Sequence, residues 1–597
     1  ASFADAHCLP HVWAMPKPWD EEKNGLVREF LPHFFLGQEN QTHVNELIAC
    51  FDLMQHADSL GSIMKFELSD STRLLVKQTV EYWHNQNFIP EAIRTQLPAF
   101  ELILALTEKY HALVMNPPYM GAGSMNEVLS KYVKKNYSNS KTDLMAIFME
   151  VCILHLYEKG KYGMINLPSW LFLSSFEALR KDLISNYHID SLLHMGRGIF
   201  GIDWGSTAFV VTKTKSKAKG IYFKLHERNF QHIYFTHIGQ LFLQVQKNHE
   251  LKYDFTTYRD EDVTNIDVYN FKHSNNGLKL YFEANQSDFE KIPGCPIGYW
   301  VSPNVLRIFT SNLALSAVAS PCVGLQTADN ARFLRLWFEV SRSRIGFGFE
   351  NAALAARSGL KWFPHNKGGG FRRWYGNQDC IVNWENDGFE IKNFKDNKGK
   401  LLSRPQNTNV YFKSAVSWSV ICSNKLNFRF YPVGVIPNMC GMCCYTDDFD
   451  TQLYILGLSN SKISELLFNI MNPTLNLSNG VFGKLPYINS NSKEINPIIQ
   501  ENIFISRQDW DAHETSWDFQ RNELLNVNAE FLREELHSDS IEWCVEQYKK
   551  KWEQMFNQLH TNEEELNRQF IEIYGLQDEL TPDVPIDEIT ILQQGEI

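Results

Sequence analysis

"HALVMNPPYM", residues 111–120, is an apolar run that stops at an amide, two prolines and a phenol: Asn116, Pro117, Pro118 and Tyr119. Two consecutive prolines fix φ and remove two backbone donors, so a strand ending here leaves its sheet in a stiff, predetermined loop. In such a loop the side-chain oxygen of Asn116 and the free carbonyl of Pro117 can face one point as acceptors, while Tyr119 lays its ring beside it. A plain strand-terminating turn is the alternative. Position weighs against it, because the functional loops of an open α/β sheet follow the carboxyl ends of its strands.

A pocket of two acceptors and a ring suits a planar group with an amino donor. The exocyclic amine of a nucleobase is such a group, and a poor nucleophile, because its lone pair is delocalised into the ring. Two fixed oxygens that accept its hydrogens return electron density to nitrogen, and they need no group of unusual pKa to do so. Inside a duplex the amine is out of reach, so the base must be extruded and held by stacking.

Outward from this point, apolar spacing predicts helices over most of residues 25–110, as in "HVNELIACFDLMQHADSLGSIM" and "STRLLVKQTVEYWHN". "HALVM" predicts a short buried strand, "KTDLMAIFMEVCILHLYEKG" an amphipathic helix closed by Gly160, and "KYGMINLPSWLF" the next buried strand with its exit loop. "FEALRKDLISNYH" predicts a further helix. "IDSLLHMG" and "STAFVVTKT" predict two strands separated by the loop "RGIFGIDWG". That order is the second half of an open, doubly wound α/β sheet.

After about residue 235 the texture changes to short aromatic-rich runs broken by Gly, Pro and Asn, which predicts a β-rich or mixed α/β region to about 490, where "NSNSKEINP" reads as a linker. From 520 onward the sequence is helical, and its stripe in "EEELNRQFIEIYG" is expected to pack within the chain. The expected domains are therefore 1–235, 236–490 and 491–597.

No apolar run reaches the roughly 18 residues of a bilayer span, so no membrane partner is expected. The net charge of -12 excludes a uniformly basic nucleic-acid coater and leaves room for a local positive groove. One stretch fits that groove: Lys361, Lys367, Arg372 and Arg373, with three glycines at 368–370 and the aromatics Trp374 and Tyr375, where no acidic residue intervenes between 357 and 373. Glycines allow close backbone approach and the cations can neutralise phosphates. A solvated basic loop fits the charge equally well. "NKGGGFRR" lacks the ending of a P-loop.

Eleven cysteines without a signal-peptide pattern fit a reducing cytoplasm. "CGMCC" brings Cys440, Cys443 and Cys444 together, but a structural zinc needs four ligands and no second pair lies near, so no metal is expected.

"NPPY" followed by "SKTDLMAIFMEVCILHLYEKGKYGMINLPSWLF" and "HMGRGIFGIDWGSTAFVV" resembles, in order and spacing, the gamma-class adenine-N6 DNA methyltransferases from motif IV to the target-base loop. The resemblance implies a partial Rossmann-like class I methyltransferase sheet. It places the target's amino group on Asn116 and Pro117, with Pro118 completing the motif, and the flipped adenine between Tyr119 and Phe200. S-adenosylmethionine would be the cofactor, beside Asn116 and with its adenine against Phe148, although helical periodicity alone makes Phe148 a core residue.

Further along, "KWFPHNKGGGFRRWYGNQDCIVNWENDGFEIK", "NPTLNLSNGVFGKLP", "ETSWDFQ" and "LNRQFIEIYGLQDELTPDVP" resemble the carboxyl-terminal half of the BREX phage-exclusion methyltransferases, so the likeness covers nearly all of the chain. It implies site-specific methylation of double-stranded DNA in the cytoplasm, target recognition by residues 236–490, and other BREX defence proteins as partners. The family's glycine-rich motif I is not found before NPPY, since "MGAGSM" follows it. The amino-terminal part that carries this motif is expected to lie outside this chain.

Two rival readings remain. A fused type II restriction-methylation enzyme would need a "PD…(D/E)xK" nuclease pattern, and no convincing copy is present. A non-catalytic DNA-binding or scaffold subunit of a defence complex has no use for an intact Asn116, Pro117 and Tyr119.

Overall fold

The computed structural model describes residues 12–14, 21–35, 37, 40–197, 199, 205–227, 232–255, 277–421, 425–474, 476–490, 492–526 and 541–591. The chain divides into two compact units, one of residues 1–290 with 294–300 and the other of 291–293 with 301–597. The division falls near 300 and not at 235, because strands beyond 219 extend the first sheet. Residues 491–597 do not stand apart either: their helices share the second unit's core. Among the described residues no helix is long and apolar enough to cross a membrane.

The first unit opens with helices Glu21–Phe34, Gln41–Met54, Asp70–His84 and Leu97–Ala105 around a small core. Asn40 and Ser69 start two of them by accepting the amides of His43 and Thr72. Phe34 stacks on Phe100 at 3.9 Å, and Phe51 meets the same ring edge-on.

A six-stranded sheet follows: β1 (Tyr110–Met115), β2 (Leu156–Asn166), β3 (His188–Met195), β4 (Ser206–Thr212), β5 (Gly220–Leu225) and β6 (Tyr281–Ala284), in spatial order β1-β2-β4-β3-β5-β6. The β1/β2 and β3/β5 pairs are parallel, and the other three are antiparallel. Helices Leu144–Leu154 and Glu177–Asn186 supply Ile147 and Leu183 to a core that also holds Tyr162, Leu192 and Phe209.

Two expectations change. The helix after Asp143 ends at Leu154, and "LYEKG" belongs to β2, because the backbone there is satisfied by neighbouring strands: Tyr110 donates to His155, and Lys159 and Gly160 bond with Lys213. β1 is not a buried strand. It pairs on one side only among the described residues, and Val114 is 91% exposed.

Arg180 locks the loop that leaves β2. This wholly buried guanidinium forms no ion pair among the described residues; it donates to the carbonyls of Trp170, Phe172 and Leu173 on that loop and of Gly294 and Cys295. Burial pulls its pKa down to about 10, so it stays charged at neutral pH.

The second unit is mixed. One four-stranded sheet runs Ser320–Cys322, Gly441–Tyr445, Ala415–Ser419, Arg429–Tyr431, and the other runs Leu334–Leu336, Cys380–Asn383, Trp362–Asn366, Ile436–Pro437. Helices Phe449–Asn460, Lys462–Met471, Ser492–Asp511 and Ile541–Tyr574 cover the first of these, burying Trp418, Phe428, Tyr454 and Phe570. Leu566, Phe570, Ile571 and Tyr574, the stripe of the last helix, lie in this core. Cys443 and Cys444 are buried in their strand, where burial raises both thiols.

His365, fully buried, has Nδ1 2.9 Å from the Ile436 carbonyl and Nε2 2.9 Å from the Asn438 amide nitrogen. That pairing holds the neutral ring, with Nδ1 donating and Nε2 accepting, and burial pushes the pKa down to about 4.

Two outcomes follow. Arg180→Met leaves five carbonyls short of a donor and is expected to destabilise the first unit by more than about 3 kcal/mol in thermal or urea unfolding; a loss under about 1 kcal/mol would show that the clamp holds nothing. For His365 the unfolded ring binds a proton below about pH 6.5 while the folded one resists until about 4. Stability of the second unit is therefore expected to fall as pH drops through that window, by about 3 kcal/mol from this residue at its lower end. His365→Gln should flatten that dependence, and an unaltered pH profile would remove His365 as its source.

Candidate functional site

Asn116 follows directly on β1, whose Met115 is level with Met164 of β2, so its side chain stands at the carboxyl edge of the parallel pair. Asn116, Pro118 and Tyr119 are exposed, and Pro117 is buried beneath them. The Tyr119 phenol donates to the Asn116 Oδ1 at 3.1 Å and lies 3.5 Å from the Ile165 carbonyl. The ring is 41% exposed and Met120 beside it 36%, so the acceptor opens onto an apolar shelf. Partial burial raises the phenol's pKa, which keeps it a neutral donor.

Asp143 holds this loop. One carboxylate oxygen accepts the amides of Met120 (3.4 Å) and Met145 (3.0 Å), while Leu144 donates back to the Met120 carbonyl at 3.0 Å and Ala122 to that of Thr142 at 2.9 Å. The residue that starts the helix Leu144–Leu154 thus fixes the end of the Pro-Pro segment as well. Burial raises the Asp143 carboxyl, and the two amides act against that shift. At the end of β2, buried Asn166 accepts from Trp170 Nε1 and Thr207 Oγ1, both at 2.9 Å, tying three segments behind the cradle.

Asp143, Asn166 and Arg180 were not singled out by sequence. A signal existed only for Asp143, a capping residue before an apolar run.

The remaining predicted residues fall in several places. Phe148 packs in the core of the sheet and keeps 8% of its surface exposed. Phe200 lies outside the described residues. Among the described residues no strand precedes β1, so no glycine-rich turn stands at its free edge. Of the predicted site residues, Asn116 and Tyr119 therefore stand together at the exposed edge of the sheet, and Phe148 stands in its core.

The basic stretch is split. Lys367 is exposed beside Gly369 and Gly370, and Lys361 is 44% exposed with Glu385 at 3.9 Å. Arg372, Arg373, Trp374 and Tyr375, expected to grip DNA, are turned inward instead. Arg373 bonds Glu563 at 2.7 Å and Glu588 at 3.0 Å, and Trp374 Nε1 donates to the other oxygen of Glu563 at 2.7 Å. Arg372 pairs with the buried Asp509 and lies over the Trp510 ring; Tyr375 is buried next to Gln378. These carboxylates lie 137 to 215 positions away, beyond what a local charge count can see.

The glycine turn is rigid: Gly368 donates to Asn366, Ser419 Oγ to the Gly369 carbonyl and Asn377 to that of Gly370. At φ +144 a Cβ on Gly369 would stand 2.6 Å from the Asn377 side chain, so no other residue fits.

Residues 55–200 match the family of the Eco57I restriction-modification methylase. The chain is 35% identical over 494 residues to the adenine-specific methyltransferase PglX of Lacticaseibacillus casei (strain Zhang), an alignment covering 82% of this chain and 38% of that protein. It is 30% identical over 550 residues to the adenine-specific methyltransferase BrxX of Escherichia coli O9:H4 (strain HS), covering 90% of this chain and 40% of that one. Among solved structures, the type IIL restriction-modification enzyme MmeI in complex with DNA aligns over 92% of this chain and 69% of its own, with a TM-score of 0.44 at 12% identity. Over most of its length the chain is similar to the adenine-specific methyltransferases PglX and BrxX, and it spans about two fifths of the length of each.

Proposed function

We propose that this chain forms the target-base and DNA-recognition side of a site-specific adenine-N6 DNA methyltransferase in a BREX-type phage-defence system. The observation that carries the reading is the exposed cradle at the end of β1, where the Asn116 Oδ1 already accepts a hydroxyl proton donor beside an exposed ring. The relationship to PglX and BrxX supports it.

On this reading the extruded adenine slides onto Tyr119, and its N6 amine takes the place of the phenol on Asn116 Oδ1. The second hydrogen goes to the Pro117 carbonyl. With both hydrogens held, the nitrogen lone pair is drawn out of the ring and aimed along the axis of attack. S-adenosylmethionine would supply the methyl group, and other proteins of the defence system would be its partners. Asp143 keeps the loop in register during this exchange.

The DNA contact of the glycine turn reduces to Lys367, the neighbouring exposed backbone of Gly369 and Gly370, and Lys361. Arg372 and Arg373 serve as anchors that hold the turn on the helical layer.

Asn116→Ala is expected to lower adenine methylation of duplex DNA by about 10²-fold or more, the usual effect of removing one preorganised hydrogen-bonding group, while leaving DNA affinity near that of the wild type. Equal methylation by both proteins would favour the non-catalytic scaffold. For binding, Lys361→Ala with Lys367→Ala should reduce the slope of log affinity against log salt by about 2, since each phosphate contact contributes about 0.9. Arg373→Ala is expected to act on thermal stability and not on that slope. An unchanged slope in the double lysine variant would take the glycine turn out of the interface.

A further inference from the structure

Residues 128–142, which leave the cradle and return to it, contain Lys131, Lys134, Lys135 and Lys141 and no acidic residue, in a chain whose net charge is -12. Charge by itself does not single this segment out. The hairpin between β4 and β5 is as basic, with Lys213, Lys215, Lys217 and Lys219. The two differ in position. Thr212, where that hairpin begins, is level with Lys161 and His188 toward the amino ends of β2 and β3, so the hairpin stands at the edge of the sheet opposite Asn116.

The segment 121–143 is tied to the cradle loop at both ends. Gly121 is bridged to Asp143, Ala122 donates to the Thr142 carbonyl at 2.9 Å, and Leu144 donates to that of Met120 at 3.0 Å. Lys141 is next to Thr142 in the chain, and consecutive Cα atoms are about 3.8 Å apart, so its backbone lies beside the loop that leaves Tyr119 and Met120. Its side chain is exposed.

Between those ends the helix Glu127–Asn136 is firmly seated. Asn126 caps it by accepting the Leu129 amide at 2.8 Å, and Leu129 and Val133 are buried. Two tyrosines hold it to an earlier segment: the Tyr132 hydroxyl accepts the Lys65 amide at 2.8 Å, and the Tyr137 hydroxyl donates to the Ile63 carbonyl at 2.6 Å. The Lys65 ammonium lies over the Tyr137 ring and donates to the Asn136 carbonyl at 2.5 Å. With that face taken, Lys131, Lys134 and Lys135, at i, i+3 and i+4, share the outward face, and all three are exposed. Lys131 is engaged by Glu127 at 2.7 Å. From Tyr137, just past the helix, to Lys141 the chain spans at most about 14 Å, the length of about four phosphates along one strand of a duplex.

We propose that Lys134, Lys135 and Lys141 are a phosphate grip for the DNA strand whose base enters the cradle. An extruded nucleotide stays joined to its strand, so backbone phosphates must pass close to Asn116 and Tyr119 when the base is held there. A rigid mount with cations on its solvent face beside that point is complementary to those phosphates, and lysine ammonium groups position the strand without reading its sequence. Lysines in the last turn also favour the carbonyl end of the helix, a role that does not extend to Lys141, which lies outside it. The inference rests on the reading of the chain as a DNA methyltransferase, and it adds to the cradle the contact that positions the strand.

The test is fluorescence anisotropy of duplex DNA with the full chain over a range of salt. Lys134→Gln, Lys135→Gln and Lys141→Gln together are expected to lower the slope of log affinity against log salt by about 2 to 3, and Lys141→Gln alone by about 1. The single variant carries the test if thermal unfolding shows the helix end disturbed in the triple one. Lys215→Gln with Lys217→Gln, a loss of charge at the opposite edge of the sheet, is expected to leave the slope unchanged. A wild-type slope in either the single or the triple variant, with duplex binding intact, would overturn this inference and leave the methyltransferase reading standing. An equal fall per lysine in the hairpin variant would overturn it as well, because the effect would then be one of net charge and not of place. Absence of duplex binding by the wild type would instead sink that reading, and this inference with it.

Discussion

β1 and β2 run parallel, so both strands deliver their carboxyl ends to one edge of the sheet, one at Asn116 and the other at Asn166. That shared polarity confines the candidate chemistry to a single place. The two asparagines divide the work. Asn166 is buried and spends its oxygen on Trp170 and Thr207, holding the exit loops together, whereas Asn116 is left facing outward. A geometric mode of activation tolerates little motion, because misplacing an acceptor by about 1 Å forfeits much of its effect. The two prolines and the Asp143 carboxylate both act on that single requirement, one through φ and the other through the amide of Met120.

Charge in this protein is informative only once its partners are known. A fully buried guanidinium costs several kcal/mol unless its donors are met, and the Arg373, Glu563, Glu588 and Trp374 group meets them within the core. The same sequence segment therefore contains both an anchor and a surface: Arg372 and Arg373 hold the glycine turn against the helices Ser492–Asp511 and Ile541–Tyr574, which frees Lys367 to stand in solvent. In this acidic chain a local count of cations misleads, because buried carboxylates distant in sequence take up some of them.

The legible parts of the sequence were those written in local patterns. The strand-helix succession from 111 to 212 predicts the elements from β1 to β4, and the Asn-Pro-Pro-Tyr segment stands where a strand end was expected. What failed was long-range. The pattern of "LYEKG" cannot say that β1 and β4 compete for its backbone, and nothing near residue 235 announces that Gly220–Leu225 and Tyr281–Ala284 will pair with each other and extend the sheet. The exposure of β1 was also misjudged, since an apolar run reports what a strand can bury and not whether a neighbour is there to cover it. Likewise Arg373 read as a DNA ligand because its two carboxylates are 190 and 215 positions away.

The contact between Tyr119 and Asn116 bears on selectivity under the proposed reading. An exposed amide oxygen would otherwise carry water, which adapts to any incoming group; here a fixed phenol donates to it at 3.1 Å. An incoming base must replace one donor with another. An exocyclic amine can do so, whereas a carbonyl edge presents a second acceptor to Asn116 and leaves both oxygens unmatched, at about 1–3 kcal/mol for each desolvated group. Displacing the phenol itself costs only about 0.5–1.5 kcal/mol, less than the few kcal/mol needed to unstack the base. The hydroxyl thus adds little to the barrier for adenine while favouring amine over carbonyl, and the ring that carries it remains beneath the base as its stacking surface.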